Sequence, residues 1–158
     1  NMKNKEIEII PYSPAYAEDF KQLNIDWLEK YFFVEPRDEE VLGDPEKYIL
    51  EPGGYIFFAM LDGEVVGTVA LIKLSDDSYE LSKMAVTPMF QGQKIGQKLL
   101  KHSIEFAKSQ GWKDLILYSN RRLENAIYLY LKFGFEETEI DEDNPYTRGD
   151  IKMRCMLS

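Results

Sequence analysis

The central segment, residues 55–86, constrains the fold of this chain more than any other part of the sequence. Two runs rich in β-branched and aromatic residues, Tyr55 to Leu61 and Glu64 to Leu74, are joined by the dipeptide Asp62-Gly63, which favours a tight hairpin turn. A third strand is expected from Tyr79 to Val86, after a polar turn. Together the three runs predict an antiparallel β-meander at the centre of the chain.

The third strand of this meander carries an irregularity in its alternation. Strict alternation places Leu81 and Lys83 on one face, whereas the next apolar residues, Met84 and Val86, require the opposite phase. One extra residue, a β-bulge, would restore the pattern, and an irregular strand without a bulge would produce it equally well. Bulges release backbone groups from the ladder and often lie beside active sites, so this strand is a candidate for a functional role.

Helices and strands flank the meander on both sides. Before it, we expect a first strand that includes Ile7 and Ile9, a helix from Tyr16 to about Tyr31, and a helical stretch from Asp38 to Leu50. After it, the predicted elements are a helix from Ile95 that ends at Gly111, a strand from Leu115 to Tyr118, a helix from Leu123 to Phe133, a strand from Phe135, and a strand from Ile151 to Leu157. This order predicts an α+β domain with a mixed sheet of about six to seven strands and about four helices.

Composition restricts the functional class. The chain has 158 residues, 44% of them hydrophobic, which is enough for one domain, taken as residues 2–158 because Asn1 precedes Met2 and is interpreted as a residue left from expression. The net charge of −9 argues against nucleic acid as a partner. Cys155 and His102 are the only residues of their types, which argues against a disulfide, a cysteine-based metal cluster or a typical zinc site. Without an apolar run of about 18 residues or a leader pattern, the sequence indicates a cytoplasmic protein that does not enter a membrane.

Charge is distributed unevenly along the chain. Between positions 94 and 113 five lysines accompany one acid, Glu105, so this segment suits an anionic ligand. Two acidic segments, 35–46 and 136–143, carry six acidic residues each. Solvated loops are the simplest interpretation of these acidic segments, and a cleft for a cationic ligand is the alternative.

A glycine-containing loop precedes the lysine-rich helix. It reads Gln91-Gly92-Gln93-Lys94-Ile95-Gly96 and joins a strand to the start of that helix. Helix N-termini present unpaired N–H groups and the positive end of the helix dipole, so such a loop can hold phosphate oxygens. An ordinary helix start would share these features, whereas a dinucleotide-binding loop would need a different set of glycines.

Two signatures in this order resemble those of the GNAT superfamily of N-acetyltransferases. The first is Gln91-x-x-x-x-Gly96 after a strand that ends Met84-Ala85-Val86-Thr87-Pro88, and the second is the helix of Asn125 to Phe135, which carries Tyr130 and ends in Gly-Phe. The family loop usually has glycine where this chain has Lys94, and a lysine there keeps the amide donor only if its backbone angles suit a side chain. The resemblance covers nearly the whole chain and implies a single GNAT-like α+β domain.

The resemblance implies acetyl-coenzyme A (acetyl-CoA) as cosubstrate and no need for a metal ion. The backbone of Met84, Ala85 and Val86 is then expected to pair with the pantetheine arm, and an N–H freed by the bulge to polarise the acetyl carbonyl. Asn125 is expected either to hydrogen-bond the cofactor arm or to cap its helix. The expected pyrophosphate-binding residues are Gln91, Gly92, Gln93, Lys94, Ile95 and Gly96.

The resemblance also implies direct attack of an amine on the thioester in a ternary complex. Tyr130 is the candidate general acid for the leaving thiolate, and Glu80 is the candidate base for the amine, with Glu35 as a second choice. A core position for Tyr130 and a solvent-facing strand position for Glu80 are the simpler interpretations of each residue taken alone. The alternatives are a coenzyme-binding sensor without turnover, a transferase of a longer acyl group, and a module for another nucleotide.

The acceptor is expected to be a primary amine of a small molecule or a peptide. In GNAT folds the loop between the last two strands and the connection after the first helix flank the acceptor side, and here these correspond to the two acidic segments. Carboxylates of one sign would concentrate a cationic acceptor, with Arg148 as an anchor for a carboxylate if the acceptor has one. Family members often dimerise, which makes a homodimer a candidate assembly.

Overall fold

A single mixed sheet organises the fold, in a computed structural model that describes residues 6–142, 144 and 148–158. Its strands are β1 (Glu8–Pro11), β2 (Tyr55–Leu61), β3 (Glu64–Lys73), β4 (Ser78–Val86), β5 (Asp114–Ser119), β6 (Glu136–Thr138) and β7 (Ile151–Met156). They lie in the order β1-β2-β3-β4-β5-β7-β6. Neighbouring strands are antiparallel except β4 and β5, which are parallel.

The helices of the described residues are α1 (Ala17–Tyr31), α2 (Pro36–Gly43), α3 (Ile95–Gln110) and α4 (Glu124–Lys132), and a helical turn at Glu46–Leu50 follows α2. Proline at the first position suits the start of α2 because its missing N–H has no helical partner there. Gly111 ends α3 with a φ of 77°, a left-handed conformation that glycine adopts without a steric penalty.

Two hydrophobic cores lie on opposite faces of the sheet. Side chains of β2 alternate between them, because Phe57 packs in the core beneath α3 whereas Ile56 and Phe58 pack in the core beneath α1 and α2. Tyr130 brings α4 into the core of α3, and Phe20 is the fully buried anchor of α1. The sheet is therefore covered by helices on both faces, and only gaps between its strands can connect the two sides.

Such a gap opens between β4 and β5. Their parallel pairing covers Ser78 to Glu80 on β4 and Asp114 to Ile116 on β5, although both strands continue beyond these residues. The far side of β5 stays paired with β7 along its whole length, so β5 is held while β4 diverges from it. Backbone groups of β4 beyond Glu80 that face β5 are thus available to a ligand.

A bulge, one of the two interpretations of the phase slip, follows the point where β4 leaves β5. On β3, Thr68 pairs with Ala85 and Ala70 pairs with Ser82, so two residues of β4 lie opposite one residue of β3. Lys83 is one of these two residues and has a φ of 54°, which is left-handed. The shift by one residue lets Met84 pack against the core beneath α3, as the apolar pattern requires.

The predicted α+β fold is confirmed, with seven strands in the sheet. The predicted elements all form, with ends that differ by a few residues from those read from the pattern. The expected helical stretch of 38–50 divides into α2 and the turn at Glu46–Leu50, because Asp44 takes a non-helical conformation at the end of α2. Within the described residues, no helix has both the length and the apolar character needed to cross a membrane.

His102 on α3 has an unusual environment for a histidine. Its ring lies edge-to-face on Phe57, with the ring centroids 4.6 Å apart, and its Nε2 is buried without a hydrogen bond to any described residue. Burial lowers the pKa of His102, and the charge of Glu105 opposes this shift only in part. The folded state therefore favours the neutral imidazole.

This histidine should make the folded state less stable in mild acid. The pKa of His102 is lower in the folded state than in the unfolded chain, where it is about 6.5, so the unfolded chain binds the proton first as the pH falls. The contribution of His102 to the free energy of unfolding is therefore fully present above about pH 6.5 and is lost as the pH falls towards the folded pKa. We expect the stability difference between wild type and His102→Met to change between about pH 7.5 and pH 5.5, by at most about 1.4 kcal/mol per pH unit. Urea unfolding at both pH values measures it, and parallel pH profiles for the two proteins would contradict this role of His102.

Candidate functional site

A cleft of about 330 Å³ occupies the gap between β4 and β5. Its sides are formed by β4 from Glu80 to Met84 and by β5 and the loop after it from Leu117 to Asn120. One end is lined by Asn24, Trp27, Leu28, Phe32, Asp38 and Leu42 of the α1–α2 side. The other end is lined by Gly96, Leu123, Ala126 and Tyr130 of the α3–α4 side. A cleft that reaches both faces of the sheet can hold two reactants that meet between the strands.

The start of α3 supplies anion-binding groups at one end of the cleft. The first helical hydrogen bond runs from the N–H of Lys98 to the carbonyl of Lys94, so the preceding N–H groups have no helical acceptor. Lys94 has φ 58° and ψ 30°, the left-handed conformation that suits glycine. A Cβ built on Gly96 meets no atom within 4 Å, so the helix surface is open there. These features fit a phosphate group above the helix start.

Tyr130 lies at the same end of the cleft and is 9% exposed. Its ring packs edge-to-face against Phe135 with centroids 5.9 Å apart, and no hydrogen bond of its hydroxyl is found among the described residues. Burial raises the pKa of Tyr130 to about 12, so the phenol stays protonated at neutral pH. A protonated hydroxyl that borders the cleft is positioned to donate to a ligand.

Glu80 and Lys83 line the middle of the cleft. Glu80 is 5% exposed and pairs in register with Ile72, whose side chain packs on the α1–α2 side, so Glu80 faces that side as well. Burial lowers the pKa of Lys83, and the charge of Arg148 acts in the same direction, whereas Glu80 and Asp38 oppose the shift. These electrostatic neighbours place the Lys83 amine within reach of the α1–α2 end of the cleft.

An ion-pair network closes the α2 end of the cleft. Arg148 donates from Nη2 to Oδ1 of Asp38 at 2.7 Å and from Nη1 to Oε2 of Glu35 at 3.1 Å. Burial alone would raise the pKa of Asp38, but hydrogen bonds from Arg148 and from the backbone N–H of Glu35 outweigh it and lower the pKa. Asp38 is therefore ionised at neutral pH and ties the start of α2 to the segment before β7.

Aromatic side chains complete the α1 end. The rings of Trp27 and Phe32 lie 5.7 Å apart, and both line the cleft. Arg122 fixes this corner because its guanidinium lies over the Phe32 ring at 4.6 Å and donates to the carbonyl of Tyr31 at 2.7 Å. The α1 end of the cleft thus combines an apolar wall with the charged groups of β4 and α2.

Comparison with known proteins identifies the family. Residues 5–135 match the family model described as the acetyltransferase (GNAT) family. The chain belongs to this family. The separation of β4 from β5 and the loop at the start of α3 are thus features of a GNAT domain, and the predicted family membership is confirmed.

Two curated relatives of this GNAT domain are larger proteins. N-acetyltransferase 8 of Rattus norvegicus is 28% identical over 98 residues, and N-acetylaspartate synthetase of Danio rerio is 35% identical over 104 residues. The matches cover 59% and 65% of this chain, but 44% and 37% of those two proteins. The chain therefore spans less than half the length of these relatives.

Solved structures of other GNAT proteins confirm the fold. A GNAT-family acetyltransferase from Staphylococcus aureus Mu50 superposes with a TM-score of 0.86 at 26% identity, covering 97% of this chain and 100% of that one. A GNAT-family acetyltransferase from Elizabethkingia anophelis, solved with acetyl-CoA bound, superposes with a TM-score of 0.66 at 25% identity, covering 98% and 100%.

The GNAT cleft brings together several of the residues singled out in the sequence. Glu80, Met84, Val86, Gly96 and Tyr130 all line it. The sequence Gln91 to Gln93 lies in a 3-10 turn, Pro88–Gln93, directly before α3, and Lys94 and Ile95 continue from that turn into the helix. Ala85 is buried behind the cleft in the core beneath α3.

Asn125 lies outside this arrangement. It is exposed at the second position of α4 and does not line the cleft, and the helix starts without a side-chain cap, so Asn125 does not cap α4 and its contact with the cofactor arm stays a prediction. Asn120, in the loop between β5 and α4, does line the cleft. Its side chain donates to the carbonyl of Arg148 at 2.8 Å and accepts from the N–H of Arg122 at 2.9 Å, so it orders the loop between β5 and α4.

The acidic segments contribute less to the cleft than the sequence suggests. Of the acidic residues in 35–46 only Asp38 lines it, and from the described part of 136–143, which excludes Asp143, no residue does. Arg148 neutralises Asp38 and Glu35, so the second-choice base Glu35 is held in an ion pair. The cations Lys83 and Arg148 balance the acids of the lining, which removes the basis for a uniformly acidic acceptor side.

Proposed function

We propose that this domain transfers the acetyl group of acetyl-CoA to the primary amine of a small molecule by direct attack in a ternary complex. The observation that carries this proposal is the cleft between the diverging strands β4 and β5, which runs from the start of α3 to the charged groups near α2. One end fits the phosphates and the thioester arm of the cosubstrate, and the other fits an acceptor.

The residues at the first end fit acetyl-CoA. The open surface at Gly96 and the unpaired N–H groups of α3 are suited to a pyrophosphate, and the freed edge of β4 around Met84 is suited to hydrogen bonds with the amide groups of a pantetheine arm. When bound, acetyl-CoA supplies an acetyl group activated as a thioester. Gln91 to Ile95, in the turn that leads into α3, would surround the phosphates from the protein side.

Glu80 and Tyr130 are suited to the two proton movements. An ammonium acceptor loses two protons when it becomes an amide, and one of them is finally carried by the free thiol. Glu80 would take a proton from the ammonium group and pass it to solvent, and Tyr130 would donate to the departing sulfur. The new C–N bond forms as the C–S bond breaks, so no metal or redox step is required.

The volume of the cleft favours a small acceptor over a folded protein. About 330 Å³ lies at the lower end of the range for small-molecule sites, and part of it must hold the acetyl end of the cosubstrate. A primary ammonium group is cationic, in agreement with Glu80 at the centre of the lining. The name of the Danio rerio relative, N-acetylaspartate synthetase, adds that an acceptor in this family can also carry carboxylates.

Binding of acetyl-CoA is the first test of this proposal. Because a ligand that binds only the folded state stabilises it, a 100-fold excess over the dissociation constant should raise the free energy of unfolding by about 2.7 kcal/mol. Thermal unfolding and calorimetric titration with acetyl-CoA measure this effect. A saturating titration with neither a thermal shift nor heat would exclude the proposed site.

Variants at the start of α3 locate the site. Gly96→Glu should abolish binding because it places a carboxylate on the open helix surface, whereas Gly96→Ala adds one methyl group at a helical position and should retain folding. Lys94→Gly should also retain binding, because glycine adopts the left-handed conformation of Lys94 without strain. Equal acetyl-CoA affinity of Gly96→Glu and wild type would place the phosphates elsewhere.

A further inference from the structure

Lys83 lines the cleft without a hydrogen-bond partner among the residues that the structure describes. The left-handed backbone of the bulge takes it out of the alternation of β4, and its half-buried side chain lines the cleft. Among the described residues it makes neither a hydrogen bond nor a close ion pair. Partial burial without acceptors disfavours the ammonium form of Lys83, and a ligand that brings oxygen acceptors to this position in the cleft would stabilise that form.

The other cation of the cleft is already satisfied. Arg148 is 22% exposed and donates to the carboxylates of Asp38 and Glu35 at 2.7 to 3.2 Å. Its charge is thus already paired with two carboxylates, so an anionic ligand at Arg148 would compete with them. Among the described residues that line the cleft, Lys83 is therefore the basic residue without a close carboxylate, which makes it a second candidate anchor for an anionic group beside Arg148.

Glu80 and Lys83, an acidic and a basic residue of β4, thus line the same cleft. Glu80 faces the α1–α2 side, and Lys83 interacts electrostatically with Glu80 across the bulge. A ligand with an ammonium group and a carboxylate separated by one or two carbon atoms presents the same two charges in complementary order. A simple amine at Glu80 would bring no acceptor to Lys83, and a polyamine would add repulsion there.

The neighbouring wall indicates the rest of the acceptor. Trp27 and Phe32 line the α1 end of the cleft, and Leu28 and Leu42 adjoin them. Apolar or aromatic side chains bury well against such a surface. The limited volume of the cleft restricts the ligand to a small molecule.

From these features we propose that the acceptor is a free amino acid with an apolar or aromatic side chain, whose carboxylate binds Lys83 and whose amino group faces Glu80. This inference rests on the proposed acetyl transfer and specifies its acceptor. The amino nitrogen forms the bond to the acetyl carbon as the C–S bond breaks, one proton leaves through Glu80, and the sulfur departs as the thiol.

Matched acceptors isolate the contribution of the carboxylate. L-phenylalanine and L-leucine are compared with L-phenylalaninamide and L-leucinamide, in which a neutral amide replaces the carboxylate, and kcat/KM is measured for each by release of free thiol. The wild type should prefer the acids. In Lys83→Met the acid-to-amide ratio of kcat/KM should fall about 10- to 100-fold, because a hydrogen bond between two charged groups is lost.

Two further variants separate recognition from general damage. Lys83→Arg keeps the charge and should retain most of the preference for the acids, and Lys132→Met, an exposed lysine in the last turn of α4, should leave both kcat/KM values unchanged. Acetyl-CoA binding of Lys83→Met, measured by thermal shift, should equal that of wild type.

Several results would overturn the inference while leaving acetyl transfer intact. One such result is a wild type that acetylates the amides and not the acids. Another is an unchanged acid-to-amide ratio of kcat/KM in Lys83→Met, which would mean that Lys83 acts only through Glu80. Turnover of other amines with no turnover of either acid would exclude this acceptor class. Failure of acetyl-CoA to bind wild type would instead overturn the proposed function itself.

Discussion

Replacement of Tyr130 by phenylalanine should lower kcat about 100-fold or more and leave the dissociation constant of acetyl-CoA nearly unchanged. The hydroxyl is the only group removed, and the edge-to-face packing of the ring on Phe135 remains. The hydroxyl donates to no described residue, so its loss should change the free energy of unfolding by no more than about 1 kcal/mol. Steady-state kinetics with an active acceptor measures the change in kcat.

A matched control lies on the same helix. Tyr128 is 72% exposed, two residues before Tyr130, and Tyr128→Phe removes the same atom outside the cleft. This control should keep the wild-type kcat. Turnover of Tyr130→Phe within a factor of two of wild type would reduce Tyr130 to a packing residue.

The environment of Tyr130 also specifies how it can act. Its pKa of about 12 exceeds that of an ordinary thiol, near 8.5, by about three to four units, so complete proton transfer to a fully formed thiolate is uphill. A hydrogen bond that strengthens as charge develops on the sulfur avoids this cost, and the proton can then be replaced from the reacting ammonium. Ionisation of Tyr130 should therefore cause no loss of kcat through the neutral and mildly alkaline pH range.

The sequence predicted those parts of the molecule that depend on local pattern. The hairpin at Asp62-Gly63 forms, with positive φ at both residues, because few other dipeptides tolerate that turn. The one-residue phase slip between Leu81 and Met84 indicated a bulge or an irregular strand, because a buried face imposes strict alternation, and the structure has the bulge.

The charge arrangement of the cleft depends on tertiary contacts, and the sequence did not predict it. Arg148 and Asp38 are 110 residues apart in the chain, so no local pattern indicates that one neutralises the other. When the ion pair with Arg148 is not known, the segment 35–46 is read as an acidic segment with Arg37 as its one basic residue. In the sequence, Lys83 is notable only because it interrupts the alternation of the third strand. That interruption was the signal that its side chain does not face the core.

The position of Asn125 depends on where its helix begins. The helix begins at Glu124, and Asn125 is exposed and is not among the residues that line the cleft. Asn120 lies before the helix, where its side chain is used to hold the turn. Whether a side chain near a helix start reaches a site can be predicted only if the first residue of the helix is known. A shift of one residue turns the side chain by about 100° around the helix axis.

Replacement of Glu80 by glutamine should lower kcat/KM about 100-fold near pH 7, because an alkylammonium acceptor must lose a proton before it can attack. The variant keeps the shape of the side chain but cannot accept the proton. Acetyl-CoA binding, measured by thermal shift, should remain at the wild-type level, since Glu80 faces the opposite side of the sheet from the start of α3.

The pH dependence distinguishes a base from a residue that only positions the acceptor. In Glu80→Gln the reacting species is the free amine of bulk solution, so kcat/KM should rise about tenfold per pH unit until the acceptor pKa is reached. The wild type should rise less steeply over the same range, and the two profiles should converge at alkaline pH. A loss that is the same at every pH would show that Glu80 orients the acceptor without taking its proton, and the base would then be a water molecule or another group of the cleft.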